Sequence, residues 1–331
     1  MVRLQARPTD VDWLAAAARL AARGRPMSRP NPAVGCIIVK DGVVVGRGWT
    51  DVGGRPHAEA AALVQAGERA RGATAYVTLE PCAHTSPRGP SCADLLVEAK
   101  IARVVIGSQD PDPRTAGSGI ERLKSAGIET QVLASKEVDA SLIGYLTRAR
   151  HSRPFVTLKL ALSLDGCIAL ANGESQWITG EEARAHVHSR RAMQDAILVG
   201  GGTWRTDQPR LDVRLPGLEN RSPRRIVLTR GVAPDGVTII NQPSQISRFD
   251  DLQYLYVEGG AQTAASFLSD DLVDRLEIYR APIVIGGGKP ALGDIGLASL
   301  ARAHGRWEEV ENRQLGSDRF TAYRRTRNEE G

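Results

Sequence analysis

The stretch that decides the fold is YVTLEPCAHTSPRGPSCADLL at residues 76–96. It begins inside TAYVTL, an apolar run typical of a buried strand, and passes through a loop rich in proline and glycine into the helical pattern CADLLVEAK. Cys82 stands directly after the strand, and Cys92 stands at the start of the helix. A strand, a loop and a helix in this order are the repeating unit of an α/β layered domain, so we expect that fold class.

Two further residues that can bind a metal or transfer protons, His57 and Glu59, lie N-terminal to this stretch. They begin the Ala-rich helical pattern HAEAAALVQAGERA. The order H-x-E, then Pro-Cys, then a second Cys matches the signature of zinc nucleobase deaminases. One imidazole and two thiolates fill three tetrahedral positions of Zn²⁺ and leave the fourth for water. We therefore predict a zinc site held by His57, Cys82 and Cys92. Glu59 is predicted to be the catalytic residue that moves protons.

The alternative interpretation is a structural zinc knuckle or a pair of buried thiols. A structural site normally closes with four protein ligands, for which His84 and Cys36 are the remaining candidates. The presence of Glu59 favours catalysis. Nine residues separate Cys82 from Cys92, where nucleobase deaminases of the editing type have two. The longer loop predicts a substrate other than plain cytosine or an RNA base.

The flanking sequence continues the alternation of helices and strands. Upstream, Thr9 and Asp12 predict the capped start of the helix TDVDWLAAAARLAAR, and Gly24 predicts its end. The apolar runs VGCIIVK and VVVGRGW then predict a hairpin that turns at Asp41 and Gly42. Downstream, strands and helices are predicted at RVVIG, IERLKSAG, ETQVL and KEVDASLIGYLTRAR.

A break at HSRP predicts two domains, residues 1–150 and 151–331, and the second domain is again of the α/β type. Thr179 and Glu182 predict a capping box for the helix EEARAHVHSRRAM. Two glycine-rich turns follow strands, in LVGGGTW and YVEGGAQTAASF. Such turns let backbone N–H groups approach a phosphate, although glycines often only turn the chain. Further strands are predicted at FVTLKLALS, DAILVG, RRIVLT, LQYLYV and RLEIYR.

Composition limits the classes of function. The 331 residues are 42% apolar and 24% charged, as in a globular protein, and no run approaches the roughly 18 apolar residues of a membrane span. The N-terminal residues have no apolar export signal, so we expect a cytoplasmic protein without a membrane partner. The net charge of +5 comes mostly from Arg, but no basic run with interleaved aromatics appears, so no nucleic-acid partner is expected. We expect a homo-oligomer that acts on a small phosphorylated molecule.

The chain resembles the bifunctional riboflavin-pathway family of diaminohydroxyphosphoribosylaminopyrimidine deaminases/5-amino-6-(5-phosphoribosylamino)uracil reductases. The resemblance implies a cytidine-deaminase-like α/β/α domain followed by a dihydrofolate-reductase-like α/β domain. It also implies that Zn²⁺ serves the deamination and NADPH the reduction of the ribosyl group, with a phosphorylated pyrimidine as substrate. The matching stretches are PNPAVGCIIVKDGVVVGRGW (30–49), GGRPHAEAAAL (53–63), YVTLEPCAHTSPRGPSCADLL (76–96), DPDPRTAGSGIERLKSAGI (110–128), RPFVTLKLALSLDGCIALANGESQWITG (153–180), TWRTDQPRLDVR (203–214) and VEGG (257–260).

The same resemblance implies roles for individual residues. Asn31 and His84 would line the pyrimidine pocket, although Asn31 between two prolines is also a plausible turn residue. The residues implied to lie along NADPH are Ala161, Trp177, Thr203, Asp207, Thr229 and Gly260. Those implied to face the substrate of the reductase are Ser175, Arg191, Leu211, Arg214 and Glu258.

Arg191 and Arg214 suit a phosphate clamp because a guanidinium binds phosphate oxygens bidentately. The alternative is that both are solvated surface arginines. The chain also departs from the usual family pattern, with Ala33 and Asp112 where Asn is usual, and with Arg205 in place of an aliphatic residue and Gln208 in place of an acid. These departures keep open the alternative of a deaminase whose C-terminal domain binds a nucleotide without reducing it. An RNA-binding protein and a non-catalytic zinc module are further alternatives.

Overall fold

The computed structural model describes residues 8–84, 89–232 and 236–327. Two compact units divide the chain, the first ending at Ser152 and the second beginning at Arg153. None of the helices within the described ranges combines the length and the apolarity needed to cross a membrane. The predicted N-terminal stretch without an export signal, and part of the loop between the two cysteines, lie outside the described residues.

The first unit is a five-stranded sheet with helices packed against it. Its elements are α1 (Asp10–Ala21), β1 (Gly35–Lys40), β2 (Val43–Trp49), α2 (Ala58–Ala66), β3 (Thr74–Val77), α3 (Cys92–Glu98), β4 (Arg103–Ile106), α4 (Ser118–Ser125), β5 (Glu129–Val132) and α5 (Lys136–His151). The sheet order is β2-β1-β3-β4-β5, with β1 antiparallel to both neighbours and β3, β4 and β5 parallel.

Local sequence explains the elements of this unit well. The predicted N-cap at Thr9 is confirmed, and Asp12 completes a capping box with it; a short 3₁₀ turn carries the first helix on to Gly24. The predicted hairpin is also confirmed: Asp41 and Gly42 both have positive φ, as its tight turn requires. The parallel strands β3 and β4 are buried because helices cover them, whereas the edge strand β5 is polar and mostly exposed. The parallel pairing of β3 and β4 places the residues that follow them at one edge of the sheet.

The second unit is built on an eight-stranded mixed sheet. Its elements are β6 (Phe155–Leu162), β7 (Cys167–Ala169), α6 (Glu181–Arg191), β8 (Ala196–Gly200), α7 (Gly201–Asp207), β9 (Arg224–Leu228), β10 (Thr238–Ile240), β11 (Tyr254–Val257), α8 (Ala261–Ser269), β12 (Arg275–Arg280), β13 (Lys289–Pro290), β14 (Trp307–Leu315) and β15 (Asp318–Arg325). The order is β10-β9-β8-β11-β6-β12-β15-β14, while β7 and β13 form a separate two-stranded sheet.

One predicted detail of this unit is wrong. Thr179 and Glu182 do not form a capping box, because α6 has Gly180 as its N-cap residue and no side chain caps it. The Gly180 N–H instead donates to the Asp318 carboxylate at 2.6 Å, and the Thr179 carbonyl accepts from Arg184 at 2.6 Å. A tertiary partner therefore supplies the acceptor that the local sequence was expected to supply.

Candidate functional site

Three side chains of the first unit form a group suited to a metal ion. His57 is the N-cap residue of α2, Cys82 follows β3, and Cys92 is the first residue of α3. Their ligand atoms all lie within 4.8 Å of one another, and His57 Nδ1 is 3.3 Å from Cys92 Sγ and 3.6 Å from Cys82 Sγ. Within the described ranges this group includes neither His84 nor Cys36, the two predicted candidates for a fourth ligand. Three ligands leave one tetrahedral position of zinc for water.

The electrostatics of this group suit metal binding. Hydrogen bonding from Cys92 lowers the pKa of the Cys82 thiol to about 4, and the Cys92 N–H also donates to Cys82 Sγ at 3.4 Å. Glu59 lies beside the group with only 3% of its surface exposed, and burial raises the pKa of its carboxyl. A thiolate, an imidazole and a buried carboxyl thus meet at one point, as metal-assisted proton transfer requires.

A cavity of about 280 Å³ opens over this group. His57, Glu59 and Cys82 line it together with Asn31 and His84, so the structure brings both predicted pyrimidine-pocket residues to the metal group. The Nδ1 atom of His84 is buried and has no partner among the described residues. Asn31 packs against Gly54, whose φ is +87° and where a Cβ would come within 2.5 Å of the Asn31 side chain.

Sequence reasoning missed Glu80, the residue that shapes the wall of this cavity. The Glu80 carboxylate, 3% exposed, accepts four backbone N–H groups from residues 110, 117, 119 and 120 at 3.0–3.3 Å. These bonds hold the loop that carries Asp112 and Arg114, which form an ion pair, into the cavity lining. A Glu between a buried strand and Pro-Cys was the available signal, because a buried carboxylate needs several donors.

The second unit contains a larger cavity, of about 750 Å³. Ten of the eleven residues implied for its cofactor and substrate line this cavity: Ala161, Ser175, Trp177, Arg191, Thr203, Asp207, Leu211, Arg214, Glu258 and Gly260. The eleventh, Thr229, lines a second cavity of about 590 Å³. The two cavities share Ile168, Gly202, Thr203, Gly260 and Lys289, so they adjoin each other.

A buried ionic cluster lies in the larger cavity. Arg191 donates to Glu258 at 2.6 and 3.0 Å, and Lys159 Nζ lies 3.5 Å from the same carboxylate. Burial alone would raise the pKa of Glu258, but Arg191 and Lys159 outweigh it and lower that pKa to about 2. The Arg191 guanidinium is therefore paired with the Glu258 carboxylate. The sequence-based interpretation of Arg191 as a phosphate-binding residue did not include this partner. Arg214 remains half exposed, 3.5 Å from Asp212.

The two glycine-rich turns lie beside the smaller cavity, and close packing explains several of their glycines. A Cβ on Gly201 would come within 2.7 Å of the Thr229 hydroxyl, and one on Gly259 within 2.4 Å of Thr263. Gly201, Gly202 and Gly260 nevertheless line the cavity, so their backbone faces it. The glycines in these turns therefore permit close packing against Thr229 and Thr263, and they also leave space for a ligand.

The fold and the site define a class of protein: a zinc-type pyrimidine deaminase joined to a dihydrofolate-reductase-like domain. Comparison with known proteins agrees. Residues 8–108 match the cytidine and deoxycytidylate deaminase zinc-binding region, and residues 154–249 and 248–320 match the RibD C-terminal domain. The chain belongs to the RibD family of riboflavin biosynthesis proteins.

Individual relatives match along almost their whole length. The riboflavin biosynthesis protein RibD of Haemophilus influenzae is 38% identical over 93% of this chain and 95% of its own, and that of Escherichia coli is 39% identical over 93% and 97%. Among solved structures, RibD of Acinetobacter baumannii has a TM-score of 0.86 at 36% identity, covering 96% of this chain and 99% of its own. A deaminase/reductase of Thermotoga maritima has a TM-score of 0.83 at 31% identity, covering 96% and 99%.

These similarities confirm the predicted family, the two fold classes and the pairing of a deaminase with a reductase. The protein is a bifunctional enzyme of riboflavin biosynthesis that acts on a small molecule. They favour a reductase in the second unit over the alternative of a domain that binds a nucleotide without reducing it. Zn²⁺ and NADPH are the cofactors that fit these two domains.

Proposed function

We propose that residues 1–150 hydrolyse an exocyclic amine of 2,5-diamino-6-(5-phosphoribosylamino)pyrimidin-4(3H)-one, and that residues 151–331 reduce the ribosyl group of the resulting 5-amino-6-(5-phosphoribosylamino)uracil to a ribityl group. The observation that carries the proposal is the group of three ligands beside a buried Glu59, at the floor of a cavity of about 280 Å³. The first reaction consumes water and releases ammonia. The second consumes the reducing equivalents of NADPH.

The donor set of His57, Cys82 and Cys92 fits zinc, because imidazole nitrogen and thiolate sulfur are its preferred protein ligands. Zinc held there would supply a Lewis acid that activates water as the nucleophile. The Glu59 carboxylate would take a proton from the attacking water and deliver it to the departing amine, so the same residue would be base and then acid. Its burial keeps bulk water away from the proton that it carries.

The pyrimidine ring is bound by Asn31 and His84. The Asn31 amide can both donate to and accept from the edge of the ring, and its contact with Gly54 limits the directions in which it can point. His84 lines the same cavity and offers a further polar contact, and among the described residues its buried Nδ1 has no hydrogen-bond partner. A ring bound by both residues would place the carbon that carries the amine over the three ligands.

The adjoining cavities of the second unit fit a dinucleotide together with a substrate. NADPH supplies the reducing equivalents when it is bound. The proposed cofactor-binding residues are Ala161, Trp177, Thr203, Asp207, Thr229 and Gly260, and the proposed substrate-binding residues are Ser175, Arg191, Leu211, Arg214 and Glu258. The ionic cluster of Glu258 with Arg191 and Lys159 orients the polar groups of the ribosyl chain, and the exposed Arg214 remains the better candidate for its phosphate.

The proposal extends to the cellular setting of the enzyme. We propose a cytoplasmic homo-oligomer without a nucleic-acid partner. The four free cysteines, all buried, suit a reducing compartment. Light scattering of the purified protein measures its oligomeric state. Titration with RNA at two salt concentrations tests the proposal that the protein does not bind nucleic acid.

The test measures ammonia release from the diaminopyrimidinone substrate while NADPH absorbance is followed in the same sample. Glu59→Gln is expected to lower ammonia release by about 100- to 10,000-fold and to retain its zinc by atomic absorption. Glu68→Gln, the same change at an exposed position within the 3₁₀ turn that follows α2, is the matched control and should have wild-type activity. Full activity of Glu59→Gln, or no ammonia from zinc-loaded wild type, would refute the deaminase assignment. Ammonia release without NADPH oxidation would refute the reductase assignment alone.

A further inference from the structure

The smaller cavity of the second unit has a lining that suits an anion. Among the described residues around it, Arg205 and Lys289 are the charged ones, and no carboxylate is present. The remaining lining consists of glycines, small hydroxyl side chains, a few apolar residues and one amide: Ile168, Gly200, Gly201, Gly202, Thr203, Leu228, Thr229, Gly260, Ala261, Gln262, Thr263 and Ser266. Two cations in a cavity of about 590 Å³ whose described lining contains no carboxylate favour a negatively charged ligand.

The exposed side chain of Arg205 brings its guanidinium close to the Gly201 backbone at this cavity. Arg205 lies on α7, and its Nη1 atom would be 3.1 Å from a Cβ placed on Gly201, the residue one turn earlier. The Thr229 hydroxyl would lie 2.7 Å from the same Cβ position, so Arg205 and Thr229 flank one point of the lining. Within the described ranges, no carboxylate lies within ion-pair distance of Arg205, whereas Arg190 and Arg191 on α6 are both paired with buried glutamates. Arg205 is therefore available to a ligand.

The position of this cavity relative to the larger one decides which end of a dinucleotide it receives. The larger cavity holds Lys159, Arg191 and Glu258, the polar groups proposed to face the substrate, so the reacting end of the cofactor lies there. The shared residues, with Lys289 and Gly260 among them, are the passage between the two cavities. The distal end of the dinucleotide, its adenosine, then falls in the smaller cavity.

We propose that Arg205, flanked by Thr229, binds the 2′-phosphate of the cofactor and makes the reductase selective for NADPH over NADH. This inference rests on the proposed reductase function and names its specificity residue. A 2′-phosphate carries close to two negative charges at neutral pH, and a guanidinium binds such a group with two parallel hydrogen bonds. Lys289, at the passage, is assigned instead to the pyrophosphate, which NADPH and NADH have in common.

The test compares two ligand fragments by calorimetry on the full-length protein. The fragment 2′,5′-ADP carries the distinguishing phosphate, and 5′-AMP lacks it. Arg205→Leu is expected to lower the binding affinity for 2′,5′-ADP by about 10- to 100-fold, which is the contribution of a charge-assisted hydrogen-bonded pair. The affinity for 5′-AMP should change by less than about threefold. The ratio of kcat/KM for NADPH over NADH should fall by the same factor, and Arg205→Lys should recover part of it. Lys289→Ala should weaken the binding of both NADPH and NADH and leave the ratio of kcat/KM between them unchanged.

Arg324→Leu is the matched control. Arg324 is 58% exposed, pairs with Glu308 and lies on β15, five strands away from β9 and Thr229, so both fragments should bind it as they bind wild type. The assignment would be overturned if Arg205→Leu lowered the affinity for both fragments equally or left both affinities unchanged. It would also be overturned if the wild-type protein bound the two fragments with equal affinity. If wild type oxidises neither NADPH nor NADH, the reductase function fails, whereas the fragment titration still decides the role of Arg205.

Discussion

Replacing Glu80 by Gln should loosen the loop that forms one wall of the deaminase cavity. One carboxylate oxygen of Glu80 accepts from residues 110 and 117, and the other accepts from residues 119 and 120. A Gln keeps one acceptor oxygen and turns an amide NH₂ toward the other two donors, so two buried N–H groups lose their acceptor whichever way it points.

The magnitude follows from that count. A buried donor left without an acceptor costs about 1–3 kcal/mol, so two cost about 2–6 kcal/mol in the free energy of opening the loop. Because 1.4 kcal/mol is tenfold in an equilibrium constant, amide exchange of peptides covering residues 108–125 should accelerate at least about 30-fold. KM of the deaminase should rise, since Asp112, Arg114 and Thr115 of this loop line the cavity. Zinc content should stay unchanged.

Glu129→Gln is the matched control for this prediction. The Glu129 side chain is 70% exposed and makes one ion pair, with Arg103 at 2.9 Å. An exposed pair is worth at most about 1 kcal/mol, so the exchange of residues 108–125 and the KM should both match wild type. If the amide-exchange rate of residues 108–125 in folded Glu80→Gln protein stayed within about threefold of the wild-type rate, the reasoning would be refuted.

Two further predictions test the pocket of the first unit and the ionic cluster of the second. Gly54→Ala should raise the KM of the deaminase, because the positive φ strains an alanine and the added Cβ would lie 2.5 Å from Asn31; a KM equal to that of wild type would contradict the placement of Asn31. Since the pKa of Glu258 is lowered to about 2 in the folded state, its ion pairs stabilise the protein above about pH 4.5, and that stability declines as pH falls toward 2. Glu258→Gln should therefore show a smaller loss of unfolding free energy over that pH range than wild type, measured by urea titration, and an identical loss would argue against the cluster.

Much of the zinc group could be predicted from local sequence. The end of β3 and the starts of α2 and α3 are each encoded by a few neighbouring residues. His57 and Cys92 stand at the two helix starts, and Cys82 lies in the loop five residues beyond the end of β3. The hairpin of β1 and β2 and the cap at Thr9 are local in the same sense, and both predictions are confirmed. Periodicity and turn chemistry act over a few residues, so a sequence pattern reports them directly.

The positions of buried charges could not be predicted in this way. The N-cap of α6 differs from the prediction because its acceptor, Asp318, is 138 residues away along the chain. The sequence favours Arg191 as part of a phosphate clamp, yet Arg191 pairs with Glu258, 67 residues away. No spacing in the sequence indicates such pairs, because only the packing of the sheet and its helices brings them together.

The sequence by itself predicted the α/β class of both domains and the grouping of His57, Cys82 and Cys92, because each rests on short patterns and on the chemistry of single residue types. Tertiary structure alone decided which carboxylates neutralise which arginines. Among the residues that the structure describes, Arg205 lies at a cavity without a carboxylate partner, while Arg191 pairs with Glu258. The physical reason is that a buried charge must find its partner across space, and the distance between two strands or helices is set by the whole packed core rather than by their separation along the chain.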